Sequence, residues 1–434
     1  MNRMVVAEKI FTVLSLLHYM GGPIIVILSG GESEGDNSIG ATSYPVIQLL
    51  FFINFAISLI LLTLRWKSVL SVLRKDRFIS TLLAVSLLSI LWSVVPAVSI
   101  VRNIALLGSS LFGLYLASRY SLREQLQLLA WAFGIAIALS LIFAIALPKY
   151  GIMTSTHAGK WRGMFTHKNV LGKSMILSSL IFALTALNER RHQILLWSGL
   201  GLSVLLLVMS SSSSSLINFL IIAAIFWLVK IVRLPYPMMI PMMFALAIVA
   251  IVTNLWLLDN MAKLLSSFGK DASLTGRVDL WPAVLDKIGQ RPWLGYGFSG
   301  FWGRDWDSEC AYVWRVTGWT PPNSHNGLLD LWLDLGLLGL GVFSIGLVLS
   351  SIRGLVWVRK CRTADAMWPI LYIIYFWLSN QTESALLVQN EIYWLLYVTV
   401  VLSLANLKDY MKQLPIQSVN LVKQTSKPNK SLVR

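Results

Sequence analysis

Stretches of roughly 20 apolar residues recur along nearly the whole chain and constrain its fold more than any other feature of the sequence. A stretch of that length lets a helix cross the hydrocarbon of a bilayer, where no water is present to satisfy an exposed backbone. About twelve can be drawn: Ile10 to Leu28, Tyr44 to Leu64, Phe78 to Val95, Ile100 to Ala117, Leu126 to Leu147, Val170 to Leu187, Ile194 to Met209, Leu216 to Val232, Met238 to Leu258, Gly327 to Leu349, Met367 to Leu387 and Ile392 to Leu407. With 56% hydrophobic and only 13% charged residues in 434, a water-soluble globule is excluded. The expected fold is an all-α polytopic membrane protein. The first stretch is long for a signal-peptide core and is followed by only a weak cleavage pattern, so it is read as a retained span.

The loops alternate in charge. One set holds Arg65, Lys67, Arg74, Lys75 and Arg77; Arg119 and Arg123; Arg190 and Arg191; Lys230 and Arg233; and Arg353, Arg359, Lys360 and Arg362. The positive-inside rule places these loops and both termini in the cytoplasm, and it accounts for the formal charge of +16 without a nucleic-acid partner. Cys310 and Cys361 then fall on opposite sides, which predicts no disulfide between them. Residues 1–408 read as a single transmembrane domain and residues 409–434 as a cytoplasmic, disordered tail. The serine run Ser210 to Ser215 reads as two helix ends bonded by small hydroxyls.

The outer loops 148–169 and 259–326 carry the informative polar residues. After Thr275-Gly276-Arg277, the residues Trp281, Val284, Leu285 and Ile288 recur at helical spacing, which suits a helix lying along the membrane surface. Cations on an outer face run against the usual bias. An arginine near the interface either snorkels to headgroups or binds an anion. Arg162 lies in a polar cluster before a span, and Arg277 opens a helix, where N-terminal amides and a guanidinium fork suit phosphate. His325, at the mouth of a span, is either a capping group or a base that takes a proton near neutral pH. Asp330 and Asp334 follow one turn apart on one helix face; they orient His325, pair with an arginine, or are plain interface carboxylates. Glu383 has the same readings. The acidic runs Glu32 to Asp36 and Asp305 to Glu309 offer oxygen ligands without metal-type spacing, and no metal or cofactor is expected.

The segment Thr275-Gly276-Arg277, Trp281, Arg291-Pro292-Trp293-Leu294-Gly295-Tyr296-Gly297, Ser324-His325-Asn326 and Leu335-Gly336-Leu337-Leu338-Gly339 resembles the signature region of the O-antigen ligase and polymerase superfamily of bacterial envelope enzymes. The run from Arg162 through His167-Lys168-Asn169 to Leu171-Gly172, and Trp92-Ser93 with Pro96 and Arg102, look like its exopolysaccharide, ExoQ-like polymerase branch.

The resemblance implies a GT-C-type, all-helical, inverting and metal-independent glycosyltransferase. It would act on the outer face of the bacterial cytoplasmic membrane, on a glycan carried by undecaprenyl pyrophosphate, and pass it to a glycan acceptor. On the matching positions His325 would be the base, and Arg277 and Arg162 would hold the pyrophosphate. Arg291, Lys168, His167, Asn169, Asn326 and Glu383 complete the candidate substrate-binding set. Membrane lipid and a chain-length regulator are candidate partners. A polymerase is preferred for the likeness of the middle loop; a ligase acting on lipid A core is the second reading. From another class, a lipid-linked sugar transporter would place charge at mid-membrane in several spans, whereas here the polar residues cluster in two loops.

Overall fold

The computed structural model describes residues 3–31, 44–154, 157–245, 248, 277–303 and 305–405. It is an all-α polytopic architecture. Its helices are α1 (Arg3–Tyr19), α2 (Pro23–Leu28), α3 (Pro45–Thr63), α4 (Trp66–Lys75), α5 (Phe78–Leu88), α6 (Pro96–Arg119), α7 (Leu122–Ile145), α8 (Lys168–Asn188), α9 (Gln193–Ser210) and α10 (Ser213–Leu228). They continue with α11 (Tyr236–Ala245), α12 (Arg277–Gln290), α13 (Ala311–Thr317), α14 (Gly327–Lys360), α15 (Trp368–Ser379) and α16 (Ile392–Ala405).

Every apolar stretch read from the sequence contains helix, but only seven of the described helices are long and apolar enough to cross a membrane unaided. The differences have local causes. The first stretch is broken into α1 and α2, because Gly21 adopts φ 74° and Pro23 starts a new helix. The basic segment expected as a loop after residue 64 is the helix α4, its Val72 buried and its charges outward. The stretch ending at Leu349 continues as helix to Lys360, and the one ending at Leu387 stops at Ser379.

Starts follow ordinary capping chemistry: Pro45 and Pro96 sit in first turns, and Ser121 with Glu124 forms a capping box. The serine run behaves as expected. Ser210 Oγ donates to Leu207 O at 2.6 Å, and Ser212 N donates back to Ser210 Oγ at 3.3 Å. In α8 and α9, Ser179, Thr185 and Ser203 turn their hydroxyls onto carbonyls four residues back, so they enter the core satisfied.

The two sets of loops gather at opposite ends. At the basic end, Glu8 bridges Arg65 (2.9 Å) and Arg119 (3.1 Å), Asp76 holds Arg353 (2.8 Å), and Arg233 donates to the carbonyls of Val358, Cys361 and Thr363. Cys361 lies there, while Cys310 lies in the long loop at the other end; both are free and buried.

At that other end α14 is broken at Gly336, whose φ of 64° and ψ of −166° leave backbone groups without helical partners. The turn 292–297 supplies them. Leu337 N donates to Pro292 O (2.8 Å) and Leu338 N to Trp293 O (3.2 Å), while Tyr296 N and Gly297 N donate to the carbonyls of Leu333 (2.7 Å) and Asp334 (2.9 Å). A Cβ at Gly336 would collide with the Trp293 carbonyl. The Trp92 indole (2.9 Å to Leu294 O), Val94 N (3.0 Å to Tyr296 O) and Ser99 Oγ (2.8 Å to Phe298 O) dock on the same turn. Three sequence motifs are thus one packed unit.

The helix α12 does not rest its apolar face on lipid, as its spacing suggested. Leu280, Ala283, Val284 and Ile288 pack on Tyr296, Phe301, Val313 and Trp314 in a small second core that also takes in Leu333 of α14, leaving Leu285 exposed. Once the loop supplies an apolar surface, burying that face there removes it from water as well as lipid would.

Candidate active site

The helix α14 starts at Gly327, with Asn326 as its cap: Asn326 Oδ1 accepts from Leu328 N at 3.0 Å. His325 precedes the cap with φ 52°, a left-handed conformation that few non-glycine residues adopt. Its N–H donates to Asn323 Oδ1 (2.9 Å), and its ring lies nearly parallel to Trp319, with centroids 6.2 Å apart. The backbone is therefore held, with the ring beside Trp319. His325 Nδ1 stands 3.9 Å from Glu383 Oε2 and makes no hydrogen bond among the described residues. Glu383 comes from the turn after α15, and its Oε1 accepts from Asn169 Nδ2 at 3.3 Å. Imidazole, carboxylate and amide thus converge from three helix ends. A small polar cavity lined by Asn169, Lys173, Asn218, Ser379, Thr382 and Glu383 lies alongside.

Of the other expected site residues, Arg277 opens α12, and its side chain falls outside the described residues. One helical turn on, the Trp281 indole donates to Ser324 O at 3.0 Å, so this helix is anchored beside His325. His167 caps α8, Nδ1 accepting from Asn169 N at 3.2 Å, with its ring edge against His157. Lys168 Nζ donates to Ser211 O at 3.4 Å.

Two of the expected site residues are engaged elsewhere in the structure. Arg162 is fully buried, and its guanidinium donates to the carbonyls of Tyr150 (2.9 Å), Gly31 (2.6 Å), Lys149 (3.3 Å) and Thr166 (3.5 Å). A fork filled by carbonyls has to lose them before it takes phosphate oxygens, so here Arg162 is a strut for the loop 148–166. Arg291 stacks over the Tyr296 ring at 4.9 Å. Its turn docks at Gly336, roughly 13 Å of helix rise from the mouth of α14, so the structure does not join it to the His325 cluster.

Trp319 and Lys173 were not among the expected site residues. A sequence signal existed for Lys173, a cation just inside a span and one turn after Asn169; it lies 4.1 Å over the Tyr393 ring. None existed for Trp319, one of several aromatics in its loop. Among the described residues no group of three or more His, Cys, Asp or Glu is arranged for a metal ion; the run Glu32 to Asp36 lies outside them, and Glu309 pairs with Lys287 at 2.8 Å. A larger apolar cavity of about 430 Å³ lies between α1, α2 and α3, but none of the expected site residues lines it.

A bundle of membrane-crossing helices with a histidine–carboxylate pair at one mouth defines a polytopic membrane protein with a polar site at one end. Comparison with known proteins shows what the chain is similar to: residues 198–344 match the family model described as O-antigen ligase. The match includes His325, Arg277, Arg291 and Gly336 and excludes Asn169 and Glu383. The chain is 26% identical over 219 residues to a Rickettsia felis protein described, provisionally, as a polysaccharide ligase, 48% of this chain and 51% of that one. It is 27% identical over 231 residues to a similarly described Rickettsia conorii protein, 51% and 54% of the two chains. A Rhizobium meliloti exopolysaccharide production protein, ExoQ, is 30% identical over 88 residues, 20% of each chain. The chain spans about half the length of the two Rickettsia relatives it matches.

Proposed function

We propose that this protein is an inverting membrane glycosyltransferase that polymerises oligosaccharide repeat units carried on undecaprenyl pyrophosphate, for a cell-surface polysaccharide. The observation that carries the reading is His325, held at the mouth of α14, its Nδ1 facing Glu383 at 3.9 Å in a chain that matches the O-antigen ligase family model. With Nδ1 protonated toward Glu383, Nε2 is free to accept the proton of an acceptor hydroxyl. The hydroxyl oxygen bonds to the anomeric carbon as the bond to pyrophosphate breaks from the opposite side. The lipid pyrophosphate leaves with that electron pair, the configuration inverts, and the imidazolium is stabilised by Glu383. Arg277 is proposed to hold the leaving group, with Lys173 as a further cation; no step uses a metal. Asn169 and Asn326 line the acceptor side.

In this reading residues 1–408 are one catalytic domain in the bacterial inner membrane, with both termini cytoplasmic and the His325 end outward. The motif from Arg162 to Asn169 supports polymerase in this reading, while the family model and the Rickettsia relatives, described as ligases, support the ligase as the second reading. The test is transfer from a purified lipid-pyrophosphate-linked repeat unit, with chelator present, by the native protein, His325→Ala and Arg277→Ala. A growing ladder abolished by both substitutions supports the proposal. A single addition to a supplied acceptor makes the protein a ligase. No transfer, with lipid-linked sugar carried across a bilayer instead, overturns the enzyme reading.

A further inference from the structure

Asp330 lies in the first turn of α14, and its carboxylate is where three separate segments meet. Oδ1 accepts from the Trp302 indole N–H at 2.8 Å and from Ser324 N–H at 3.0 Å; Oδ2 accepts from the Ser384 hydroxyl. Ser324 is the residue before His325, and Ser384 is the residue after Glu383. We infer that Asp330 is a positioning residue whose two carboxylate oxygens clamp the His325 turn to the Glu383 turn and so set the separation of imidazole and carboxylate. The catalytic consequence rests on the reading of His325 as the base; the clamp itself rests only on these hydrogen bonds.

Both turns need such a device. His325 has left-handed backbone and Glu383 lies in a turn beyond the end of α15, so neither is held by regular helix. A direct backbone link also joins them, Gly327 N to Asn380 O at 2.9 Å. The carboxylate adds one tie to each turn and a third, through Trp302, to the long loop. Glu383 and Asp330 therefore have separate tasks: the first faces the imidazole, and the second holds the segments that carry both.

The experiment uses the full chain in lipid nanodiscs and compares Asp330→Ala, Asp330→Asn and Ser384→Ala. Asparagine is the informative change. Its oxygen accepts from Trp302 and Ser324, and its amide donates to the Ser384 hydroxyl, so the clamp survives without the charge. In Asp330→Ala, amide hydrogen exchange rises about 10-fold or more in peptides covering both 319–326 and 380–387 while α7 is unchanged. Turnover falls about 10- to 100-fold with little change in donor KM. Asp330→Asn keeps both readouts within about threefold of native. Ser384→Ala loosens 380–387 only, and it carries the test if Asp330→Ala does not fold. Native exchange at either turn in Asp330→Ala, no loosening in Ser384→Ala, or Asp330→Asn behaving like alanine overturns the clamp. Absence of glycan transfer by the native protein overturns the functional reading instead, and hydrogen exchange still decides the clamp.

Discussion

Two polar constructions sit on the first three turns of α14. At Gly336 the backbone is broken, and Pro292, Trp293, Tyr296 and Gly297 of the docked turn take up the groups that the break releases. At His325 the backbone is bonded, and the imidazole faces a carboxylate from another helix end, Nδ1 standing 3.9 Å from Glu383 Oε2 without a hydrogen bond among the described residues. Both carry signature residues of the resemblance. The difference separates architecture from chemistry: at Gly336 the backbone groups released by the break are answered by the docked turn, whereas at His325 a titratable pair is held facing one another at the helix mouth.

That contrast predicts a graded series. His325→Ala removes the imidazole and is expected to lower transfer by about 10²- to 10⁴-fold with the melting temperature nearly unchanged; ladder formation in detergent or nanodiscs checks it, and surviving transfer would erase the contrast. Glu383→Gln is expected to lower kcat about 100-fold, since a neutral partner no longer stabilises the imidazolium; donor KM should stay near native. Gly336→Ala acts on the other construction. Forcing a Cβ at φ 64° against the Trp293 carbonyl is expected to destabilise by about 1–3 kcal/mol or more, read as a lower melting temperature and faster proteolysis within 291–297. Arg162→Lys leaves buried carbonyls unanswered and is expected to cost about 1–3 kcal/mol; a raised donor KM at native stability would return Arg162 to the phosphate. Smallest is Lys287→Met. Its pair with Glu309 is partly exposed, so the loss is at most about 1 kcal/mol and shrinks with added salt.

The bundle was legible because a span requires a long apolar run, and composition records length well. The breaks were not. A glycine in an apolar run reads the same whether the helix passes through it, as at Gly346, or stops, as at Gly336. The place of His325 at a helix mouth was legible because it directly precedes a long apolar run, and the structure has it just before the cap of α14. The carbonyl partners of Arg162 were not legible, because an arginine before a span looks alike whether its fork meets phosphate or carbonyl; Gly31, Lys149 and Tyr150 come from other parts of the chain. The partnership of His325 with Glu383 joins residues on different helices, and no spacing rule reaches that far.

The break at Gly336 also bears on how the molecule is made. Synthesis runs from the N-terminus, so the turn 292–297 leaves the ribosome before the helix whose gap it fills. When α14 enters the bilayer it brings amides and carbonyls that lipid cannot satisfy. The turn, braced by Trp92, supplies those partners in the finished structure. Turn and broken helix are therefore one unit, and grafting either onto another bundle would require transplanting both.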